Sequence, residues 1–334
     1  MDRGQHELQF LGFCGTFKQS FKIVLQWRKI FSQITLALIL PLSFIFLAHF
    51  EISQLLFFKI ITNEDDLSYT DINSRDHAKL RRAISSEWTF FWLFKAAYFT
   101  FLLVFSLLST SAVVYTIACI FTAKPISFVK VMRIVPKVWK RLAVTFLWSF
   151  AIVLVYNVLA IGVLVLCIVL LGISPAGIAI GILFLIAYLA GFVYIGIVWH
   201  LASVISVLEE SYGIKAMKKS RDLIKGKLGL AVAYFLLIGF CFVVIELIFE
   251  HFVVIGIVGG LAVRIVVGIV CFLLLFKVIL FGLVIQTIIY FICKSYHHEN
   301  IDKSSLSEHL EVYLGDYVPL KSKDVQLGEV NNSV

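Results

Sequence analysis

Charged residues are scarce in this sequence, and their scarcity excludes an ordinary soluble protein. Only 15% of the 334 residues are charged and 60% are hydrophobic, whereas soluble domains carry about 25% charged residues. No Asp, Glu, Lys or Arg occurs between Leu142 and Leu208. A membrane-spanning helix needs about 20 apolar residues, because the hydrocarbon core of a bilayer is about 30 Å thick and a helix rises about 1.5 Å per residue. The composition therefore predicts an integral membrane protein.

Sequence motifs for catalysis and metal binding are also missing. The sequence contains no phosphate-binding loop, no nucleophile elbow and no paired-cysteine motif, and most of its six cysteines lie in apolar runs, as buried free thiols do. The acidic stretch 64–76 lacks the ligand positions and the glycine of a calcium loop. We therefore predict that the protein is not an enzyme and holds no metal and no cofactor.

Hydrophobic runs predict an all-α protein with about six transmembrane helices in a membrane domain over residues 30–293. Within region 252–293, we interpret the first part, around Gly256, as a short re-entrant or interfacial piece. Two full spans in that region are the alternative, and they would move the C-terminus to the other side of the membrane. The six predicted spans are about 30–50, 91–121, 143–171, 178–207, 229–249 and 265–292.

The distribution of positive charge predicts the orientation of the chain. With six spans, 21 of the 29 Lys and Arg residues fall on one side of the membrane and 6 on the other. Because Lys and Arg accumulate in cytosolic loops, both the N-terminal segment 1–29 and the C-terminal tail 294–334 are predicted to be cytosolic. We expect no cleavable signal peptide, since residues 1–30 contain no long apolar run. The charge pattern does not distinguish endomembranes from the plasma membrane.

Two of the basic loops resemble each other. Residues 126–146 and 214–234 share seven identities at an offset of 88, including basic residues spaced i, i+3 and i+7 on one helical face. An apolar face opposite such basic residues is typical of an amphipathic helix in the membrane surface, although Pro136 interrupts the first copy. Together with the similar stretch 17–29, the pattern predicts three parallel repeats of surface helix, span and span. The shared basic residues are candidates for binding lipid headgroups: Lys130, Arg133, Lys137, Lys218, Arg221 and Lys225.

The segment 199–227, which overlaps the second of these loops, carries a resemblance to a known family. It reads WHLASV at 199–204, VLEE at 207–210 and KGK at 225–227, and it resembles the membrane domain associated with glycerophosphodiester phosphodiesterases. The stretch 27–43 is similar to a plant family of multi-pass transmembrane proteins of unassigned function. The resemblance covers most of the chain. It implies six helices and a non-catalytic membrane domain, and no catalytic residue carries over.

Ionisable groups inside predicted spans form a second set of candidates, because such groups are rare in lipid. We expect Glu246 to pair with Lys277 or Arg264, and His200 to form hydrogen bonds between helices. The candidates are Lys95, His200, Glu246 and Lys277.

The leading functional hypothesis is a non-enzymatic protein that engages anionic lipids or protein partners at the cytosolic leaflet. Its partners are membrane lipids and either other proteins or further copies of the chain as a homo-oligomer. Nucleic acid is not predicted as a partner, since the net charge of +8 comes mainly from the loops assigned to the cytosol. The alternative is a transporter of ions or small solutes that uses the intramembrane charges.

Overall fold

The computed structural model of the protein describes residues 10–70, 74–124, 126–172, 174–256 and 260–297. Within these ranges the chain is helical and contains no strand, so the predicted all-α class is confirmed. Six helices are long and apolar enough to cross a membrane, which is the number predicted. Most of the predicted C-terminal tail lies outside the described residues.

Eight helices make up the described part of the chain. Six of them, α2, α3, α4, α5, α7 and α8, are the candidate membrane spans. In chain order the helices are α1 (Phe13–Gln26), α2 (Arg28–Ser68), α3 (Arg75–Phe121), α4 (Phe128–Leu171), α5 (Pro175–Leu208), α6 (Ile214–Leu223), α7 (Leu228–Val254) and α8 (Leu261–Tyr296).

Helices α2 and α3 extend well beyond the predicted spans, the first of which ends at about residue 50 and the second of which begins at about residue 91. Residues 51–68 continue α2 and residues 75–89 belong to α3, and these two stretches pack against each other as a helical hairpin. Glu87 holds its two arms together, since it lies 3.0 Å from Nζ of Lys59 and accepts a 2.7 Å hydrogen bond from Asn63. The polar residues that resemble a loop in sequence therefore serve as contacts between two helices.

Helix α2 contains Pro41 without breaking. A proline in a helix lacks the N–H that would bond to the preceding turn. One turn of π-helix over Thr35–Ile39 lies immediately before it and Leu40 continues the α-helix. Single π turns occur inside α-helices, and both prolines and π turns are sites where a helix changes direction.

Local sequence signals set the turn between α4 and α5. Gly172 has a positive φ of 58° and ends α4, a conformation that glycine adopts without steric cost. The Ser174 side chain accepts a 3.1 Å hydrogen bond from the backbone N–H of Gly177, and Pro175 occupies the first turn of α5. These residues lie in the short interval between the third and fourth predicted spans, which end at about 171 and begin at about 178.

The region after residue 250 differs from the prediction of a re-entrant piece. Helix α7 continues through a π turn at Glu250–Val254, and α8 begins at Leu261. Gly256 adopts a positive φ of 65°, which allows the chain to reverse sharply; residues 257–259 lie outside the described ranges. Two full spans in 252–293 are also wrong, because α8 is one continuous helix.

The bundle is tightly packed at one end. The main hydrophobic core there contains residues of all six spans. Five of the spans contribute a large side chain that is at most 1% exposed: Phe31, Ile117, Ile134, Ile205 and Ile288. By contrast, the most apolar windows of α4 and α5 bury none of their residues inside the protein. These two helices therefore form an arm whose outer surface is left for the surrounding lipid.

A polar clasp holds α4 and α5 together within this arm. The Tyr188 hydroxyl donates to Oδ1 of Asn157 at 2.7 Å, and the Tyr156 hydroxyl donates to the Tyr188 carbonyl at 2.9 Å. The two tyrosine rings stack with centroids 5.4 Å apart. Gly191 leaves the space for this arrangement, because a Cβ there would collide with the Tyr156 hydroxyl.

We expect Gly191→Val to lower the unfolding temperature of the purified protein. The added side chain overpacks the clasp, which costs about 1–3 kcal/mol. Gly181→Val is the matched control on α5, since a Cβ at Gly181 meets nothing within 4 Å. The measurement is thermal unfolding in detergent, followed by intrinsic fluorescence. Equal destabilisation by the two substitutions would contradict the clasp.

Candidate functional site

Three basic segments lie at the tightly packed end of the bundle. They are α1, the first part of α4 and α6, and we call the surface that they form the basic end. The segments share this end because α1 and α6 each precede a span that starts there, and the first part of α4 is itself the start of a span. Their exposed basic side chains, with those at the start of α2 and in the turn after α6, are Lys18, Lys22, Arg28, Lys29, Lys130, Arg133, Lys137, Lys140, Lys215, Lys218, Arg221 and Lys225.

The first predicted repeat copy is not a separate surface helix. It is the beginning of α4, which runs through Pro136 without interruption. Its predicted basic residues Lys130, Arg133 and Lys137 are exposed, whereas Val131 and neighbouring apolar residues are buried in the main core. Burial of that apolar side against the bundle explains why the segment continues the span.

The second copy is a short helix of its own. In α6, Ala216, Met217 and Leu223 are buried, and the predicted basic residues Lys218 and Arg221 are exposed. A turn separates this helix from α7. The two copies therefore share a basic outer face but differ in backbone conformation, and the repeat stays a prediction.

Hydrogen bonds fix α6 against α4 and α5. Oγ1 of Thr145 in α4 accepts a 2.7 Å hydrogen bond from the backbone N–H of Gly213 and lies 2.7 Å from Oγ of Ser206 in α5. Farther along α6, the Ser220 hydroxyl donates to the Val198 carbonyl at 2.7 Å. All three hydroxyl-bearing residues are buried. The basic face of α6 is therefore held in a defined position relative to that of α4.

Glu209, the first residue after α5, joins three elements of the basic end. Its carboxylate lies 2.8 Å from Nζ of Lys219 and 3.1 Å from Nζ of Lys294, and it accepts a 2.7 Å hydrogen bond from the Tyr290 hydroxyl. Burial alone would raise the pKa of Glu209, but the hydrogen bond from Lys219, the charge of Lys294 and the bond from Tyr290 lower it below its ordinary value. The carboxylate is therefore ionised near neutral pH. It neutralises basic side chains that face inward.

Helix α1 packs beside α7 and α8. The Tyr234 hydroxyl donates to the Phe13 carbonyl, and the two rings stack with centroids 4.5 Å apart. Phe17 and Phe21 stack on Phe281 of α8 at 6.3 Å and 6.1 Å. All three phenylalanines of α1 remain exposed on their outer sides, at 40–49% of their surface. This helix therefore presents aromatic rings next to its exposed lysines.

The intramembrane candidate Lys95 is partnered. Its Nζ lies 2.6 Å from Nε2 of His49 and donates to Oγ of Ser53 at 2.9 Å. His49 also stacks on Tyr98, with ring centroids 3.8 Å apart. These contacts join α2 to α3. Sequence reasoning missed His49 and Ser53 because they lie more than forty residues from Lys95 and share no motif with it.

The predicted pairing of Glu246 was wrong. Arg264 in the first turn of α8 lies 3.4 Å from Glu51 in α2, so it is not available to Glu246. Lys277 is exposed on α8. Within the described ranges, no salt bridge involves Glu246 or Lys277. The transporter alternative, which rests on these two residues, stays a prediction.

His200 forms a hydrogen-bond network between α5 and α8, as predicted. Its Nδ1 lies 2.8 Å from Oε1 of Gln286, and Nε2 of Gln286 donates to Oγ of Ser203 at 2.8 Å. The Ser203 hydroxyl in turn donates to the His200 carbonyl at 2.6 Å. Sequence reasoning missed Gln286, because it lies in an otherwise apolar run and belongs to no motif.

A protein-family model matches residues 1–330 of the chain. The chain belongs to DUF8558, a domain of unknown function. No curated protein and no solved structure matches it. The resemblance to phosphodiesterase-associated membrane domains and to a plant family therefore stays a prediction, and the candidate site depends on the geometry of this chain.

The basic end has the chemistry of a surface for anions at a membrane. Helix α1 carries exposed aromatic rings and exposed lysines, and long basic side chains can keep their charge in water while their stems contact apolar groups. In the described part of the chain, no group of three or more His, Cys, Asp or Glu residues is arranged to hold a metal ion. Phosphate groups of lipids are natural partners for such a surface.

Proposed function

We propose that the protein is a multi-pass membrane protein whose basic end lies at the cytosolic leaflet and binds anionic lipid headgroups. One observation carries this proposal: the exposed basic residues of α4 and α6 lie on one end of the bundle and are held there by Thr145 and Glu209. Near an anionic leaflet each Lys or Arg contributes about 1 kcal/mol of binding. The excess of Lys and Arg on this side supports the same orientation.

Helix α1 supports the proposal independently. It has three faces: Thr16, Ser20 and Ile23 are buried against the protein, Lys18 and Lys22 are exposed, and its phenylalanines are exposed between these two faces. A helix that lies in the membrane interface places its aromatic rings among the acyl chains and its lysines near the phosphates. In this arrangement α1 would place the basic end at the depth of the headgroups.

The proposal predicts that four substitutions on the basic end weaken binding of anionic lipid. The variant changes Lys130, Arg133, Lys218 and Arg221 to Gln. Lys137 and Lys225 stay in place, because Lys137 interacts with another residue of the chain and Lys225 lies 2.8 Å from Asp222. Arg221 is included because its contact with Asp222 is longer, at 3.8 Å. We expect affinity for an anionic phospholipid to fall at least tenfold, since tenfold corresponds to about 1.4 kcal/mol. The measurement is native mass spectrometry of the detergent-purified protein titrated with phosphatidylserine or phosphatidylcholine.

The matched control changes four exposed basic residues of the helical hairpin at the opposite end. They are Arg75, Lys79, Arg81 and Arg82. This control removes the same number of charges, so it separates a local effect from a change in net charge. The expected result is an unchanged preference for phosphatidylserine. The proposal fails if both variants lose the preference equally, or if the intact protein shows none.

A further inference from the structure

A cavity of about 530 Å³ lies between α2, α3, α5, α7 and α8. Pockets that bind small molecules have volumes of about 300–1,000 Å³. Aliphatic and aromatic side chains form most of the wall, among them Phe46, Leu201, Phe235 and Ile279, and no Asp, Glu, Lys or Arg lines it. A charged headgroup would lose its hydration in such a space without compensation. The cavity therefore suits an uncharged, largely apolar molecule.

The position of the cavity relates it to one leaflet of a bilayer. Its wall follows α7 from Ala231 to Val243 and α8 from Val278 to Ile289. At about 1.5 Å per residue these stretches are about 17–18 Å long, close to half of the roughly 30 Å hydrocarbon core. Ile224, the residue after α6, lies at the end next to the basic end. The cavity thus has the depth of a single lipid in the leaflet that contacts the basic end.

The network around His200 fixes the polar chemistry of the wall. The Ser203 hydroxyl has one hydrogen and donates it to the His200 carbonyl, so its oxygen accepts from Nε2 of Gln286. Oε1 of Gln286 therefore accepts from His200, and the proton of a neutral imidazole lies on Nδ1. In this tautomer Nε2 carries a lone pair and no hydrogen. Both His200 and Gln286 line the cavity.

We propose that this cavity binds one uncharged membrane lipid that bears a hydroxyl group. The hydroxyl donates a hydrogen bond to Nε2 of His200, and the apolar body of the lipid fills the space along α7 and α8. Sterols and diacylglycerols share this chemistry. The proposal uses residues distinct from those of the basic end, so either site can fail without the other.

The binding test uses the full-length protein in detergent and radiolabelled cholesterol, with competition by unlabelled cholesterol, 1,2-dioleoylglycerol, phosphatidate and cholesterol methyl ether. Saturable binding supports the proposal, and the competitor that displaces the label, cholesterol or dioleoylglycerol, shows which class of lipid the cavity binds. A parallel titration with radiolabelled dioleoylglycerol detects binding if the cavity accepts diacylglycerols but not sterols. Binding of neither lipid would overturn the proposal, and so would equal competition by phosphatidate.

Two substitutions in α7 locate the site. Gly239 lines the cavity, and a Cβ there meets nothing within 4 Å, so Gly239→Leu fills the cavity without a collision of its Cβ. Gly229→Leu is the matched control, because a Cβ at Gly229 is equally free and the residue does not line the cavity. We expect at least a tenfold loss of binding in Gly239→Leu and none in Gly229→Leu. Equal binding by both variants would overturn the assignment to the cavity.

The proposed hydrogen bond to His200 is tested separately, by comparing the affinity of the hydroxyl lipid with that of its methyl ether. With the intact protein, the hydroxyl lipid should bind at least tenfold more tightly than its methyl ether, because the ether has no hydrogen to donate. In His200→Phe the two should bind equally. The variant with four substitutions on the basic end should retain full binding, which separates this site from the headgroup surface. A methyl ether that binds the intact protein as tightly as the alcohol would overturn the role of His200.

Discussion

Replacing Glu209 with Gln should lower the free energy of unfolding by about 3 kcal/mol. The substitution leaves Lys219 and Lys294 around a neutral amide, and removal of one partner from a buried ion pair costs about 3–5 kcal/mol. Glu209 and Lys294 are only 14% and 18% exposed, but Lys219 is 34% exposed, so solvent screens part of the effect. We therefore expect the lower end of the range. Thermal and denaturant unfolding in detergent measure it directly.

This stabilisation should depend on pH in a defined direction. The folded-state pKa of Glu209 is lower than its ordinary value of 4.5. The contribution is therefore fully present above pH 4.5 and is lost as the pH falls from 4.5 through the lower folded-state pKa. The difference in unfolding temperature between the intact protein and Glu209→Gln should be large at pH 7 and should shrink below pH 4.5.

The control for Glu209 is Asp222→Asn. Asp222 also contacts lysine, with Oδ1 2.8 Å from Nζ of Lys225, but its side chain is 57% exposed. Solvent screens an exposed ion pair, so such a pair contributes little to stability, and this variant should unfold at nearly the same temperature as the intact protein. If it were as unstable as Glu209→Gln, the effect would reflect general loss of acidic charge rather than the buried carboxylate.

The number of spans was predictable because hydrophobicity over about 20 residues is a local property of sequence. The ends of α2 and α3 could not be predicted in this way, because polar side chains of segment 51–89 form hydrogen bonds and ion pairs with the neighbouring helix. The contact between Asn63 and Glu87 is an example. The continuity of α4 through Pro136 likewise depends on burial of Val131 and its neighbours in the bundle. Tertiary packing, which no sequence window contains, decided each of these points.

The basic residues of the candidate site could be predicted from the sequence, but the contacts between residues of different helices could not. Helical spacing indicated which basic residues share a face, and Lys130 and Lys218 are exposed accordingly. The partners of the intramembrane charges depend on how neighbouring helices are rotated. Glu51 therefore contacts Arg264 although the sequence favoured Glu246. The lone pair assigned to His200 depends on Gln286, which only the packing of α5 against α8 reveals.

Thr145→Val should give the second largest loss of stability, about 2 kcal/mol. The substitution keeps the shape of the side chain and removes the hydroxyl that accepts from the backbone N–H of Gly213. Both residues are buried, and an unsatisfied buried donor costs about 1–3 kcal/mol. The Ser206 hydroxyl also loses its contact with Thr145 but keeps its bond to the Ala202 carbonyl, so its share of the cost is small.

The consequence of Thr145→Val should be local to α6. Gly213 immediately precedes this helix and has a positive φ of 63°, so the hydrogen bond to Thr145 fixes the point from which α6 starts. We expect faster amide hydrogen exchange across 214–223 and weaker binding of anionic lipid, because Lys218 and Arg221 no longer have a fixed position. Thr145→Ser is the matched control, since it retains the hydroxyl and should preserve both properties. If exchange in α6 were equally slow in the two variants, Thr145 would not position the basic face. The headgroup surface would then depend on Glu209 and on the packing of α6 alone.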